Sequence, residues 1–275
     1  MFADTNIIHL GYFGIRQNNW DFAIMFTWPV LRVYYVARRP APMKKTIFCG
    51  LLFLLLHFSQ AFAQQADGFE WEEDDLQEVT ITGYTESNTT VIIPKYINAM
   101  PVTGIYHNVF ANKGLASIDI PDSVTFIGSY AFANNRLTGI DLPDALDFNG
   151  AGMFANNRLA SVTIPNGVRS IESGAFANNQ LTSIDIPDSV NRIQAAAFAN
   201  NRLTSITIPN GMGEIGHGAF AGNPLISITI GEGVDLRWEV LGNNDSFDRA
   251  YIDGGRLAGT YTRPNPESNV WTRED

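Results

Sequence analysis

Acidic and hydroxyl side chains recur at one fixed place in this sequence. Asp119, Asp141, Thr163, Asp185, Thr207 and Thr229 follow one another at intervals of 22 residues. Two residues ahead of each run Ser117, Gly139, Ser161, Ser183, Ser205 and Ser227. On adjacent parallel strands Asp119 and Asp141 would stand about 4.8 Å apart, close enough to repel or to share a cation. Paired carboxylates are also the acid and base of glycoside cleavage. A calcium ion, however, wants about six to eight oxygens, and glycoside cleavage wants a cleft that a regular Asp/Thr alternation does not imply. The columns therefore read as a solvated polar face, whose donors and acceptors can meet a glycan or an extended partner chain. His107 and His217 are read in unrelated phases, one near the start of the repeats and one in the last, so no shared metal or nucleophile site is expected.

The elements that position this face follow from the same interval. Leu115, Leu137, Leu159, Leu181, Leu203 and Leu225 are 22 residues apart, and Phe110, Phe132, Phe154, Phe176, Phe198 and Phe220 keep their register. Pro121, Pro143, Pro165, Pro187 and Pro209 form a third column. Three independent columns in one register define a repeat array. Within a unit, Ile184 and Ile186 alternate with Ser183 and Asp185, which is strand periodicity with the isoleucines inward and the polar pair outward. Pro187 stops the strand, Asp188 and Ser189 fill a turn, Val190 and Ile193 make a second short extended stretch, and Ala197-Phe198-Ala199 with Asn200-Asn201 turns the chain back. No pattern of period 3.6 is long enough for a regular helix. A lone unit cannot offset its backbone entropy, at about 1 to 2 kcal/mol per residue, with some five apolar side chains at roughly 1.5 to 3 kcal/mol each. Units must stack. Asn112, Asn134, Asn156, Asn178 and Asn200, with Gly222 breaking the column, are read as buried corner asparagines bonded to unpaired backbone groups.

Charge and the N-terminal segment narrow the function. Lys44 and Lys45, the apolar run 46–58, and Ala61-Phe62-Ala63 have the order of a secretory signal peptide, with cleavage expected after Ala63. Residues 43–63 form the signal, which makes Met43 the expected start and residues 1–42 an upstream extension. A membrane-associated extension is the alternative, but the ten apolar residues 22–31 contain Pro29 and are too short to span. Cys49, the one cysteine, lies inside the signal and lacks the small-residue context of lipid attachment. From Gln64 onward there are 12 Lys and Arg against 26 Asp and Glu, a net charge of −14, which disfavours nucleic acid. The mature chain is expected to insert in no membrane and to carry no cofactor, metal or disulfide.

The pattern Leu-x-x-Ile-x-Ile-Pro-x-x-Val-x-x-Ile-x-x-x-Ala-Phe-x-x-Asn resembles the bacterial BspA-like leucine-rich repeats over residues 81–230, including an atypical first unit with Val91-Ile92-Ile93-Pro94. The resemblance implies a secreted or surface protein, some of whose relatives bind host matrix proteins or other bacteria. The fold class expected is a mostly β solenoid with one short parallel strand per 22-residue coil. Residues 64–112 would form an N-terminal cap with the atypical repeat, 113–230 the array, and 231–275 a C-terminal cap ending in a hairpin around Pro264-Asn265-Pro266. In the coil of Leu137, Asn149 stands where the pattern has Ile and Met153 where it has Ala. Trp71, Trp238, Tyr251, Tyr261 and Trp271 are expected to be exposed in the caps, and the acidic run from Glu70 to Asp75 to be a solvated leader. The function read from all this is non-enzymatic, adhesin-like binding of a macromolecule by an exported chain that is secreted, surface-held or periplasmic. The face proposed for it comprises Ser117, Asp119, Asp141, Ser161, Thr163, Ser183, Asp185, Ser205 and Thr207. A carbohydrate-active enzyme on a β-solenoid and a structural envelope protein are the alternatives.

Overall fold

The computed structural model describes residues 68–274, except 149, 238 and 243–245. The upstream extension, the signal segment with Cys49, Asn149 and Trp238 lie outside the described residues.

The chain winds into a right-register stack of coils with little helix. On the face bearing the polar columns, β3 (Thr90–Ile92) pairs in parallel with β6 (Ser117–Asp119), and β10 (Ser205–Thr207) with β12 (Ser227–Ile230). The equivalent residues of the three coils between them belong to no ladder. A second parallel ladder, from the Val-x-x-Ile stretch, is the longer one: β8 (Ser170–Ile171), β9 (Arg192–Ile193), β11 (Glu214–Ile215) and β13 (Asp235–Leu236) pair in series. Nearer the N-terminus, β5 (Met100–Ile105) pairs with β7 (Phe126–Ile127), and Phe126 bridges to Asp147. The coils are thus held on two sides rather than by one strand each. The second ladder stops at Asp147 in the coil where the pattern's Ile is Asn149. There Phe148 is buried and its ring lies 5.8 Å from that of Phe176, supplying apolar volume to the core.

Between the ladders the chain turns on the phenylalanines. Successive rings from Phe110 to Phe220 stack with centroids 5.4–5.7 Å apart and planes within 10° of parallel. Each Phe amide donates to the next coil, as in Phe132 N to Met153 O and Phe176 N to Ala197 O, both 2.9 Å. At the opposite bend, the carbonyls of Pro121, Pro143, Pro165, Pro187 and Pro209 accept from the amide three residues on, closing the turns expected there.

The asparagines divide their labour differently from the sequence reading. Asn112, Asn134, Asn156, Asn178 and Asn200 are exposed, not buried, and have φ between +56° and +59°; Gly222 takes the same conformation at +71°. Asn and Gly are the residues that enter this left-handed region most readily. The buried asparagines are the next ones, Asn135, Asn157, Asn179 and Asn201. Asn179 Nδ2 donates to the carbonyls of Phe154 at 2.9 Å and Phe176 at 3.1 Å, while its Oδ1 accepts from the amide of Leu159 at 3.0 Å. One side chain so closes a corner and ties it to the preceding coil. In the first coil the equivalent position is Lys113, whose Nζ donates to Tyr84 O at 2.8 Å.

Aromatic side chains close both ends of the stack. At the N-terminal end β1 (Phe69–Glu73) pairs antiparallel with β2 (Val79–Tyr84), which lies parallel to β5; β4 (Tyr96–Ile97) folds back on β5 through a tight turn. The rings of Tyr84 and Phe69 sit 5.4 and 6.4 Å from Phe110 and cover the first ring of the stack. At the other end comes α1 (Phe247–Asp253), a helix the sequence reading did not anticipate, because two turns are too short to establish a period. Its buried residues, Phe247 and Tyr251, are four apart and share a face. Then β14 (Gly259–Thr262) pairs antiparallel with both β12 and β15 (Thr272–Arg273). Tyr251, Tyr261 and Trp271, expected to be exposed, are buried instead, with Phe247 at the centre of the cluster. They cover core that the array would otherwise leave open. Arg263 is buried with them: Nε donates to Leu225 O at 2.6 Å, and the guanidinium lies 4.7 Å from the Trp271 ring. The Tyr251 hydroxyl donates to Gly231 O at 2.6 Å and accepts from Val234 N at 3.0 Å.

Two stability experiments follow from these contacts. Asn179→Ala strands one amide and two carbonyls and is expected to lower the unfolding free energy by about 2–4 kcal/mol. Asn178→Gly keeps the left-handed backbone and is expected to change it by less than about 0.5 kcal/mol. Equal effects in urea denaturation would contradict the division of roles. Burial raises the pKa of both Tyr251 and Tyr261 above the ordinary 10.0. Their neutral forms therefore stabilise the fold fully below the unfolded value, and that stabilisation is lost as pH rises through 10 toward the higher folded values. The melting temperature is expected to fall between about pH 9 and 11, less steeply in Tyr251→Phe, which starts lower by about 1–3 kcal/mol for its two lost hydrogen bonds.

Candidate binding face

The candidate face is set by alternation about the inward isoleucines. Ile206 and Ile228 are buried, so the residues on either side of them point away from the core. Ser117, Asp119, Asp141, Ser161, Thr163, Ser183, Asp185, Ser205 and Thr207 are all exposed, as is Gly139. Their side chains are short and hydrogen-bond capable, and they repeat at every coil step. Ser117 Oγ donates across the ladder to Thr90 Oγ1 at 3.2 Å. In the last coil Ser227 and Thr229 are only half exposed, because β14 lies against β12 and the Thr229 and Thr260 hydroxyls meet at 2.9 Å. The C-terminal strands therefore extend the face with Thr260, Thr262 and Thr272, which sequence reasoning missed: their register depends on a long-range antiparallel pairing that no repeat announces.

Asp119 and Asp141 are exposed on adjacent coils, and among the described residues no group of three or more His, Cys, Asp and Glu is placed to hold a metal ion. The chemistry available to the face is hydrogen bonding and weak charge. A groove of 480 Å³ lies elsewhere, at the break in the second ladder, lined by Asp144, Leu146, Asp147, Phe148, Arg169 and Ser170 among others.

His107 and His217 share a phase after all, five coils apart, contrary to the sequence reading. Coil steps of 5.4–5.7 Å keep them from any common site. The exposed aromatics lie elsewhere than expected: Tyr106 and Tyr130 are 51% and 50% exposed on the first two regular coils, whereas the C-terminal tyrosines are buried.

With this geometry in view, residues 103–227 match the BspA-type leucine-rich repeat region in six copies. The array is a BspA-type leucine-rich repeat. Solved structures share the architecture. A leucine-rich cell surface protein from Faecalibacterium prausnitzii A2-165 is 30% identical over 60% of this chain and 53% of its own, with a TM-score of 0.48. The chain thus spans about half the length of that protein. The leucine-rich repeat protein of T. pallidum is 21% identical over 62% of this chain and 84% of its own, again with a TM-score of 0.48. A leucine-rich repeat protein from Bacteroides ovatus ATCC 8483 is 19% identical over 62% and 66%, with a TM-score of 0.35. No curated protein matches the chain. Among the described residues, no helix is long and apolar enough to cross a membrane.

Proposed function

We propose that this BspA-type repeat chain is exported, is cut after Ala63, and binds a macromolecular partner, adhesin-fashion, through the face running from Ser117 to Thr207. The observation that carries this reading is the exposure of all nine face residues on consecutive coils. The same short polar groups recur at each coil step, which suits an extended ligand able to bond at several steps at once. A host matrix protein or a bacterial surface component is such a ligand. Nucleic acid is not, because the acidic chain would repel its phosphates. The face lacks Trp, Tyr and Arg anchors, so affinity is built from many weak contacts rather than from a hot spot.

A binding array of the purified chain against matrix proteins and mucins tests the face. Changing Ser183, Asp185, Ser205 and Thr207 together to Lys is expected to weaken a saturable interaction at least tenfold. Each exposed substitution should alter stability by no more than roughly 0.5 kcal/mol. Binding retained by the folded variant would move the site off this face. For export, mass spectrometry of chain recovered outside the producing cell is expected to show an N-terminus at Gln64; an intact 43–63 segment there would contradict cleavage.

A further inference from the structure

A second surface, away from the polar face, has the features of a sugar-stacking site. Tyr106 ends the second extended stretch of the first regular coil, and Tyr130 stands one coil and two residues further on. Both rings are half exposed. Later coils place Gly, Glu, Gln or Ala in these phases and no aromatic residue, so the pair is a local departure from the repeat.

Tyr130 occupies a backbone position that does not suit it. Its φ is +58°, where the neighbouring coils have Asn108 at +61°, Gly152 at +59° and Gly174 at +64°. A bulky side chain in the left-handed region is strained, and a half-exposed ring recovers little of that through packing. Strain held at an exposed aromatic points to use of the ring.

The floor beside the rings is kept bare. A Cβ on Gly128 would come within 2.7–2.8 Å of the Tyr106–His107 backbone, one on Gly150 within 2.6 Å of Ile127 O, and one on Gly152 into the Tyr130 ring itself. No side chain can rise there, and the rings stand over a shallow, open trough. Next to Tyr106, at 4.7 Å between centroids, the exposed His107 ring accepts the Ser129 amide on Nδ1 at 2.8 Å. Its proton is thereby assigned to Nε2, which remains a donor.

We propose that Tyr106, His107 and Tyr130 form a binding site for neutral pyranose oligosaccharides. The C–H face of a sugar ring is apolar and weakly positive and meets the negative face of tyrosine, while the imidazole N–H reaches a ring hydroxyl. One coil step, 5.4 Å on the rings of Phe110 and Phe132, is short enough for both tyrosines to touch a single oligosaccharide. A protein partner fits less well. The two half-exposed rings offer on the order of 200 Å² of aromatic surface, against roughly 800 Å² per side in a stable protein interface. The chain's net charge of −10 selects neutral over anionic sugars.

The test is calorimetric titration of the full chain with four soluble hexasaccharides: β-1,4-linked glucose, N-acetylglucosamine and mannose, and β-1,3-linked glucose. At least one is expected to bind with a Kd of roughly 0.1–1 mM. Tyr130→Gly restores the residue that neighbouring coils use at this φ, so its melting temperature is expected to be unchanged or higher while affinity falls at least tenfold; Tyr106→Ala should lose affinity to a similar degree. No saturation by any of the four up to roughly 5 mM would overturn the proposal. So would undiminished sugar binding in the folded Tyr106→Ala/Tyr130→Gly double variant, or a protein ligand captured through these tyrosines by a chain that binds no sugar.

Discussion

Every coil must turn its backbone through a corner whose amides and carbonyls are shut away from water, and the array depends on how those groups are bonded. One buried asparagine per corner, typified by Asn179, takes two carbonyls and gives its oxygen to the leucine amide of the preceding coil. The adjacent Phe amides reach forward to the following coil. Register is therefore set at the corner, in both directions, and the strand ladders follow from it. This explains how the polar face can persist through three coils that form no ladder on that side.

Such a device solves the interior of a stack and leaves its ends open. Beyond the first and last coils there is no further Phe ring or asparagine, and the exposed core must be covered by other means. The N-terminal end uses the rings of Phe69 and Tyr84. The C-terminal end uses a short helix and two strands, with Arg263 and the Tyr251 hydroxyl bonded to backbone groups of the last coil, Leu225 O, Gly231 O and Val234 N. Aromatic residues are consumed in closure where the sequence suggested they were displayed.

The frame leaves the remaining surface free to differ. Along the polar face the side chains are short and regular, which suits a repetitive ligand. Around Tyr106 and Tyr130 the repeat is broken by two rings over bare glycine. The two surfaces rest on separate columns, so either can be altered without touching the corner asparagines that hold the coils.

The sequence by itself determined the coil, its length and its inside and outside. Leu, Phe and Pro columns at a constant interval permit one register, and alternation about Ile184 and Ile186 assigns Ser183 and Asp185 to solvent, because side-chain direction along an extended chain is a local property. Tertiary structure decided what depends on neighbours. Which asparagine of each pair is buried follows from the position of the preceding coil's carbonyls, and residue type cannot distinguish Asn178 from Asn179. The burial of Tyr251, Tyr261 and Trp271 and the extension of the face by Thr260 rest on contacts between segments far apart in the chain. Only packing brings those segments together, since no periodicity links them.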